Sequence, residues 1–371
     1  MAARAPDTRA AVQDIVTNQA DLEQLALRLA SAEAIGLDTE FLRERTYRAE
    51  LCLLQIADPA GPLCVDPLAL ENLEALVPVL SAARPLKVMH ASRQDIEVLF
   101  PAVGALQGIF DTQIAAALTG LPAQIGYGEL VKRLLGRELS KAHTRTDWSR
   151  RPLSGEQLSY ALDDVRYLLP LRAHLTAQIA QLGRTGWLAE ELHALADPRG
   201  YAVEPEQAWL RIKGLRGLDP ARARVARALA AWRERRAIER NRPRGWILED
   251  ATLREIVVRV PRSLTELAAI ADMPPAVVKH CGTEILDSIR SADVPEALAP
   301  VVLRARPDPR KAALVKHLSA IHQAVAAELH LSPEVLATRR DLEQLADGER
   351  AVPVLGGWRR EVIGERLLAA L

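Results

Sequence analysis

The pattern of apolar residues changes character once along this chain, and that change limits the folds open to it. Over roughly the first two hundred residues, short apolar runs alternate with helical patterns. AEAIGLDTE, ELCLLQIA, GPLCVDP, PLKVMHA and GIFDT are brief and bounded by Gly, Pro or charged residues, as strands are. DLEQLALRLA and LENLEALVPVLSAA instead place apolar residues at i, i+3 and i+4, the spacing of an amphipathic helix. The alternation predicts an α/β domain. Between Leu51 and Pro67, ADPAGP interrupts two apolar runs as a turn would, so a hairpin and at least one antiparallel strand are expected in a mostly parallel sheet. After about Asp197 the strand signals stop. ADPRGYAVEPE reads as a linker, and ARARVARALAAWRERRAIERN, LREIVVRV, SLTELAAIA and PPAVVKHCGTEILDSIRSA read as helices. A further break falls at ADVPEALAP and RARPDPR. Beyond it HLSPEVLATRRDLEQLADG repeats the order and spacing of WILEDATLREIVVRVPRSLTELAAI, so a duplicated helical module is expected.

Charge is segregated in the same way. In the whole chain 48 Lys and Arg balance 48 Asp and Glu, an average that argues against a polyanionic partner. From Trp209 to Arg262, however, fifteen basic residues face six acidic ones, with Trp209, Trp232 and Trp246 interleaved. An Arg-rich helix is ordinarily a solvated face. The local surplus, together with the tryptophans, points to nucleic acid, with Arg236, Arg240, Arg242 and Arg244 as the expected phosphate contacts.

Other chemistries find little support. Cys52, Cys64 and Cys281 form no CxxC or Cys/His spacing and are expected to be reduced core residues. His143, His280, His317 and His322 form no ligand spacing, and His90 is expected to be structural. A nucleotide-binding GxxxxGK[ST] loop is missing, which argues against a helicase. The N-terminus has no apolar h-region, and no run of eighteen uncharged apolar residues follows, so a soluble cytoplasmic protein is expected. Nothing indicates an obligate protein partner, and a monomer is expected.

The carboxylates carry more. In GLDTE, Asp38 and Glu40 stand at the end of a buried strand. Side chains alternate faces along a strand, so these two point one way and Thr39 the other. Two like charges so close need a cation or a proton between them. In KVMHASRQDIEVLF, Ser92 is a candidate helix N-cap and Asp95 falls in the first turn, where a lone aspartate usually complements the helix dipole. In LSGEQLSYALDDVRYLLPL, Tyr160 and Asp164 are four apart on one helix face, while Asp163, three from Tyr160, stays open by spacing alone. Asp111 in GIFDT is expected to be a turn or cap residue. Four carboxylates of this kind supply the oxygen ligands that hard divalent cations prefer.

The ordered set GLDTEF, HASRQDIEVL and QLSYALDDVRYL, with KAHTRTDWSRRPLS before the last, resembles the ribonuclease D family of DEDD-type 3′→5′ exonucleases, tyrosine subclass, over roughly residues 12 to 200. That resemblance implies a ribonuclease-H-like α/β domain with a mixed sheet over residues 1–200. It also implies that Asp38, Glu40, Asp95 and Asp164 bind two Mg²⁺ or Mn²⁺ ions and that Tyr160 positions the attacking water. The family's YxxxD register favours Asp164 over Asp163. Backbone and apolar groups around Thr39 and Phe41 would receive the terminal nucleotide. Residues 207 to 290 resemble the helicase-and-RNase-D C-terminal (HRDC) domain, giving all-α segments at 205–292 and, by a weaker likeness, 295–371. The second is less basic, so packing or closure around substrate is its expected role. The expected activity is trimming of structured RNA, most of all precursor tRNA, to nucleoside 5′-monophosphates. A DNA exonuclease of the same architecture and a non-catalytic RNA-binding scaffold are the alternatives.

Overall fold

The computed structural model describes residues 15–139, 146–215, 218–292 and 309–371. His143 and most of the ADVPEALAP and RARPDPR break lie outside the described residues. Two compact units emerge. The first comprises Met1–Leu42, Leu51–Tyr201 and Arg306–Leu371; the second comprises Arg43–Glu50 and Ala202–Ala305.

The first unit is built on a six-stranded sheet: β1 (Ile15–Val16), β2 (Ala34–Leu42), β3 (Glu50–Asp58), β4 (Gly61–Val65), β5 (Leu86–Met89) and β6 (Ile109–Asp111), in the order β1-β4-β3-β2-β5-β6. The expected hairpin is β3–β4, antiparallel with Asp58 opposite Gly61, while β1–β4, β2–β5 and β5–β6 are parallel. The sheet is therefore mixed. Its turn is pinned by Asp58, whose Oδ1 accepts the Ala60 N–H at 2.8 Å.

Period-two alternation sorts the sheet into two faces. Ile35, Leu37, Leu54 and Ile56 pack with α1 (Gln19–Ala30), α2 (Val77–Ser81) and α3 (Arg93–Val103). Ala34, Ala57, Val88 and Phe110 pack on the other side with α4 (Thr112–Leu118), α5 (Tyr127–Leu135), α7 (Leu168–Gln181) and α8 (Thr185–Ala196). Near α6 (Gly155–Arg166) a smaller cluster forms from Cys52, Leu53, Cys64, Trp148 and Ala161. All three cysteines are unbridged and buried, as expected. LENLEALVPVLSAA departs from expectation, forming only a 3₁₀ turn at Glu74–Leu76 and the five-residue α2. Pro78 enters at the first positions of α2, where its missing N–H is tolerated, and so breaks the longer helix.

In the second unit α9 (Pro220–Glu239), α10 (Arg244–Ile247), α11 (Asp250–Arg259), α12 (Leu264–Ala268) and α13 (Pro275–Arg290) surround a core of Val225, Leu229, Leu253, Ile256 and Ile285. The C-terminal helices α14 (Pro309–Glu328), α15 (Pro333–Leu336) and α16 (Arg339–Ala346) start at positions displaced from α9, α10 and α11 by one identical spacing, and the first two keep the same lengths. Leu229 and Leu318 occupy equivalent, fully buried places. This second set, with α17 (Gly357–Arg359) and α18 (Glu365–Leu368), shares the core of the sheet-containing unit. Trp358 stacks on Trp187 of α8 at 4.4 Å with planes 12° apart, and Arg359 pairs with Glu191. Arg184 bridges the carbonyls of Leu118 and Leu329. At the same spacing, Val325 and Leu329 correspond in position to Arg236 and Arg240.

Among the described residues no helix is long and apolar enough to cross a membrane.

Candidate active site and nucleic-acid face

β2 carries Asp38 and Glu40 on the face shared with Ala34 and Gly36, and Thr39 on the other. Gly36 decides what can come near them. A Cβ there would meet the Val165 carbonyl oxygen and the Ala57 Cβ at 3.2 Å, so glycine lets the end of α6 lie this close beneath β2 without crowding. Asp164 is the residue next to Val165, and its charge is felt at both Asp38 and Glu40.

The approach to α6 is braced from several sides. Trp148 is buried against Cys52 and Cys64, and its ring lies 6.2 Å from that of Tyr160. Arg151 holds the buried Asp66 through two bonds of 2.6 and 2.7 Å and donates to the Cys52 carbonyl. Ser154 and Gln157 close a reciprocal capping box at the start of the helix. At its far end the Tyr127 hydroxyl donates to the Asp163 carbonyl at 3.1 Å and accepts the Tyr167 N–H at 3.0 Å. The two acids left open by spacing then separate. Asp163 pairs with Arg166 at 2.8 Å on the surface, whereas Asp164 hydrogen-bonds Tyr160 one turn back.

Asp95 arrives from α3 and is buried. Ser92 occupies the N-cap position yet makes no side-chain cap; its Oγ donates to Asp111 at 2.8 Å instead. Asp111 caps α4 through the N–H groups of Gln113 and Ile114, as expected, and also accepts from the N–H groups of Ala91 and Ser92. Ala91 has φ 53°, a left-handed conformation that a non-glycine residue adopts only when held. Asp111 therefore shapes the turn that aims Asp95. His90 bonds Thr112 Oγ1 at 2.9 Å and the Ile125 carbonyl at 3.0 Å.

Electrostatics show that the four carboxylates share one field. Asp38 is held well above the ordinary carboxylate range, first by burial and then by the charges of Asp95, Asp164 and Glu40. Glu40 is pushed up to about 8 by burial and then by Asp164 and Asp95. Burial raises Asp164 to about 7. It raises Asp95 to about 6, against the lowering effect of the bond from Thr39. Each acid favours its proton chiefly because burial removes the water that would stabilise its charge. Among the described residues no three His, Cys, Asp or Glu side chains are drawn tightly enough to close on an ion. The donor set nevertheless fits hard divalent cations, being all oxygen and short of counter-charge.

The expected phosphate contacts divide in two. Arg240 and Arg242 are exposed, with the Arg242 guanidinium 5.6 Å from the Trp246 ring centroid. Arg236 is turned toward Glu284 at 3.0 Å. Arg244 pairs at 2.6 Å with Glu234, which is only 1% exposed, and lies over the Tyr47 ring at 4.8 Å. Tyr47, in the segment after β2, donates its hydroxyl to the same Glu234. Sequence reasoning missed this triad; its signal was a glutamate inside an otherwise basic helix.

The 3′–5′ exonuclease family model matches residues 13–180, and the HRDC domain model matches residues 222–289. The fold and this match define a nuclease of the 3′→5′ exonuclease class. Ribonuclease D of Nitrobacter hamburgensis is 38% identical over 96% of this chain and 94% of its own length. That of Zymomonas mobilis is 36% identical over 97% and 94%. The crystal structure of Escherichia coli RNase D, described as an exoribonuclease involved in structured RNA processing, superposes with a TM-score of 0.85 at 31% identity, covering 96% of this chain and 98% of that one. The chain belongs to the ribonuclease D family: it is a 3′→5′ exoribonuclease, a hydrolase of phosphodiester bonds.

Proposed function

We propose that the chain trims the 3′ ends of structured RNA, precursor tRNA foremost, releasing nucleoside 5′-monophosphates in the cytoplasm as a monomer. Asp38, Glu40, Asp95 and Asp164 hold two divalent cations, Mg²⁺ or Mn²⁺. The observation that carries this reading is the elevation of the four carboxylates by burial, with Asp38 and Glu40 raised further by the charges of Asp95 and Asp164. Bound there, two cations would supply acidity to water near neutral pH and charge stabilisation to the departing 3′ oxygen.

The chain's own groups do the rest. Tyr160 keeps its phenolic proton well above the usual range, because burial and the charges of Asp164, Glu40 and Asp38 all oppose ionisation. It is therefore a neutral hydroxyl, anchored to Asp164 and packed on Trp148, suited to orient the water at the scissile phosphate. Arg240 and Arg242 contact the RNA backbone, and the 1–200, 205–292 and 295–371 segments are its three inherited modules. Support for a structured substrate comes from the description of the Escherichia coli relative.

Purified protein with Mg²⁺ or Mn²⁺ should release mononucleotides from a 3′-hydroxyl RNA faster than from the matched DNA. Asp38→Ala and Asp164→Ala should abolish release while the fold is kept. Full activity of Asp38→Ala would overturn the two-metal assignment, and RNA binding without release under any metal would favour a scaffold. Sequencing the 3′ ends of cellular RNAs after loss of the protein identifies the natural substrate.

A further inference from the structure

The second unit holds a surface loop, Asn241 to Trp246, whose backbone is pinned at three N–H groups. The Asn241 N–H donates to the Ile238 carbonyl, that of Arg242 to Ala237 and that of Trp246 to Pro243, at 2.9–3.1 Å. Asn241, at φ 45°, accepts the Tyr47 N–H at 3.1 Å, and Arg244 is anchored to buried Glu234. On this frame stands Trp246, 60% exposed. The other five tryptophans are buried or partly so. Single exposed leucines are ordinary on a protein surface. An indole held out by a rigid loop, with a cation laid across it, is a different thing.

We propose that Trp246 is a stacking platform for one unpaired base of the RNA strand, with Arg242 and Arg240 neutralising the phosphates that flank it. This rests on the reading that the helical module binds RNA and goes beyond it by assigning a base-contacting residue. The chemistry matches on each side. Every base offers a π-face, and stacking on an aromatic side chain is indifferent to sequence. The Arg242 guanidinium already lies over the ring, 5.6 Å from its centroid, within reach of a phosphate beside a stacked base. A pre-ordered loop lowers the entropic cost of capture. Beside it, Asn241 lines a cavity of about 530 Å³ with Tyr47, Arg48 and Ile238, room enough for a neighbouring nucleotide.

The test uses the full chain in EDTA, which blocks hydrolysis, and a fluorescent single-stranded RNA together with a series in which each base in turn is replaced by an abasic residue. Trp246→Ala should weaken binding about tenfold, and Trp246→Phe should recover part of it. On one abasic RNA wild type should lose affinity to the same extent and Trp246→Ala should lose nothing further. The salt dependence of Trp246→Ala should match wild type, whereas Arg242→Ala should lower the log–log slope by about one. Wild-type affinity of Trp246→Ala on intact RNA overturns the inference alone. So does an equal loss on every abasic RNA, which would mark a structural role. Absence of RNA binding by wild type at low salt would instead overturn the reading beneath it.

Discussion

The Thr39 hydroxyl donates to the Asp95 carboxylate at 2.6 Å, joining the back face of β2 to the first turn of α3. The residue between two outward-facing acids is thus the one that holds the third. Asp95 keeps one oxygen on Thr39, and its charge is felt at Asp38 and Glu40, so an acid on a helix and two on a strand interact.

Thr39→Val keeps shape and removes this bond. The expected result is a loss of about tenfold in apparent affinity for Mn²⁺, read from activity against metal concentration, with Thr39→Ser near wild type. An unchanged metal curve for the valine variant would show that Asp95 needs no such holder.

Glu40→Gln should abolish hydrolysis and yet stabilise the metal-free protein. Its folded pKa of about 8 lies above the ordinary value of 4.5, so the folded state holds the proton more tightly. The stability this confers is fully present below about 4.5 and is lost as pH rises through about 8. In EDTA the melting temperature of Glu40→Gln should therefore exceed wild type at pH 8 and converge with it near pH 5. A constant difference across that window would contradict the assignment.

The two adjacent aspartates of α6 should behave oppositely. Asp163→Asn, which touches a surface ion pair, should keep activity within about twofold. Asp164→Asn should lose on the order of a thousandfold in kcat. Comparable losses would mean that the face of α6 has been misassigned.

Trp358→Ala empties a stacked site that is 3% exposed, in the core common to the sheet and the C-terminal helices. A cost of about 3 to 5 kcal/mol is expected, measurable by urea denaturation. Limited proteolysis should then cut the C-terminal helices away first. Unaltered denaturation would show that the shared core does not hold them.

The strands and the hairpin were legible because each has a local cause: period-two burial and turn residues. The short α2 was missed because Pro78 acts on the backbone more strongly than the apolar spacing acts on the face. Ser92 looked like a cap because nothing local reveals that Asp111, nineteen residues on, would claim its hydroxyl. The same holds for the basic helix, where four arginines look alike in sequence. Glu284 draws Arg236 inward and Glu234 ties down Arg244, leaving Arg240 and Arg242 exposed at the surface.

By itself the amino-acid sequence determined the α/β-then-helical order and the family likeness, since these depend on residue type and spacing along one chain. Only the tertiary structure decided that the charge of Asp164 reaches Asp38 and Glu40, that Thr39 holds Asp95, and that the C-terminal helices share the core of the sheet. Those outcomes depend on close approach between segments far apart in sequence, as where Gly36 admits the end of α6, and spacing along the chain carries no record of such packing.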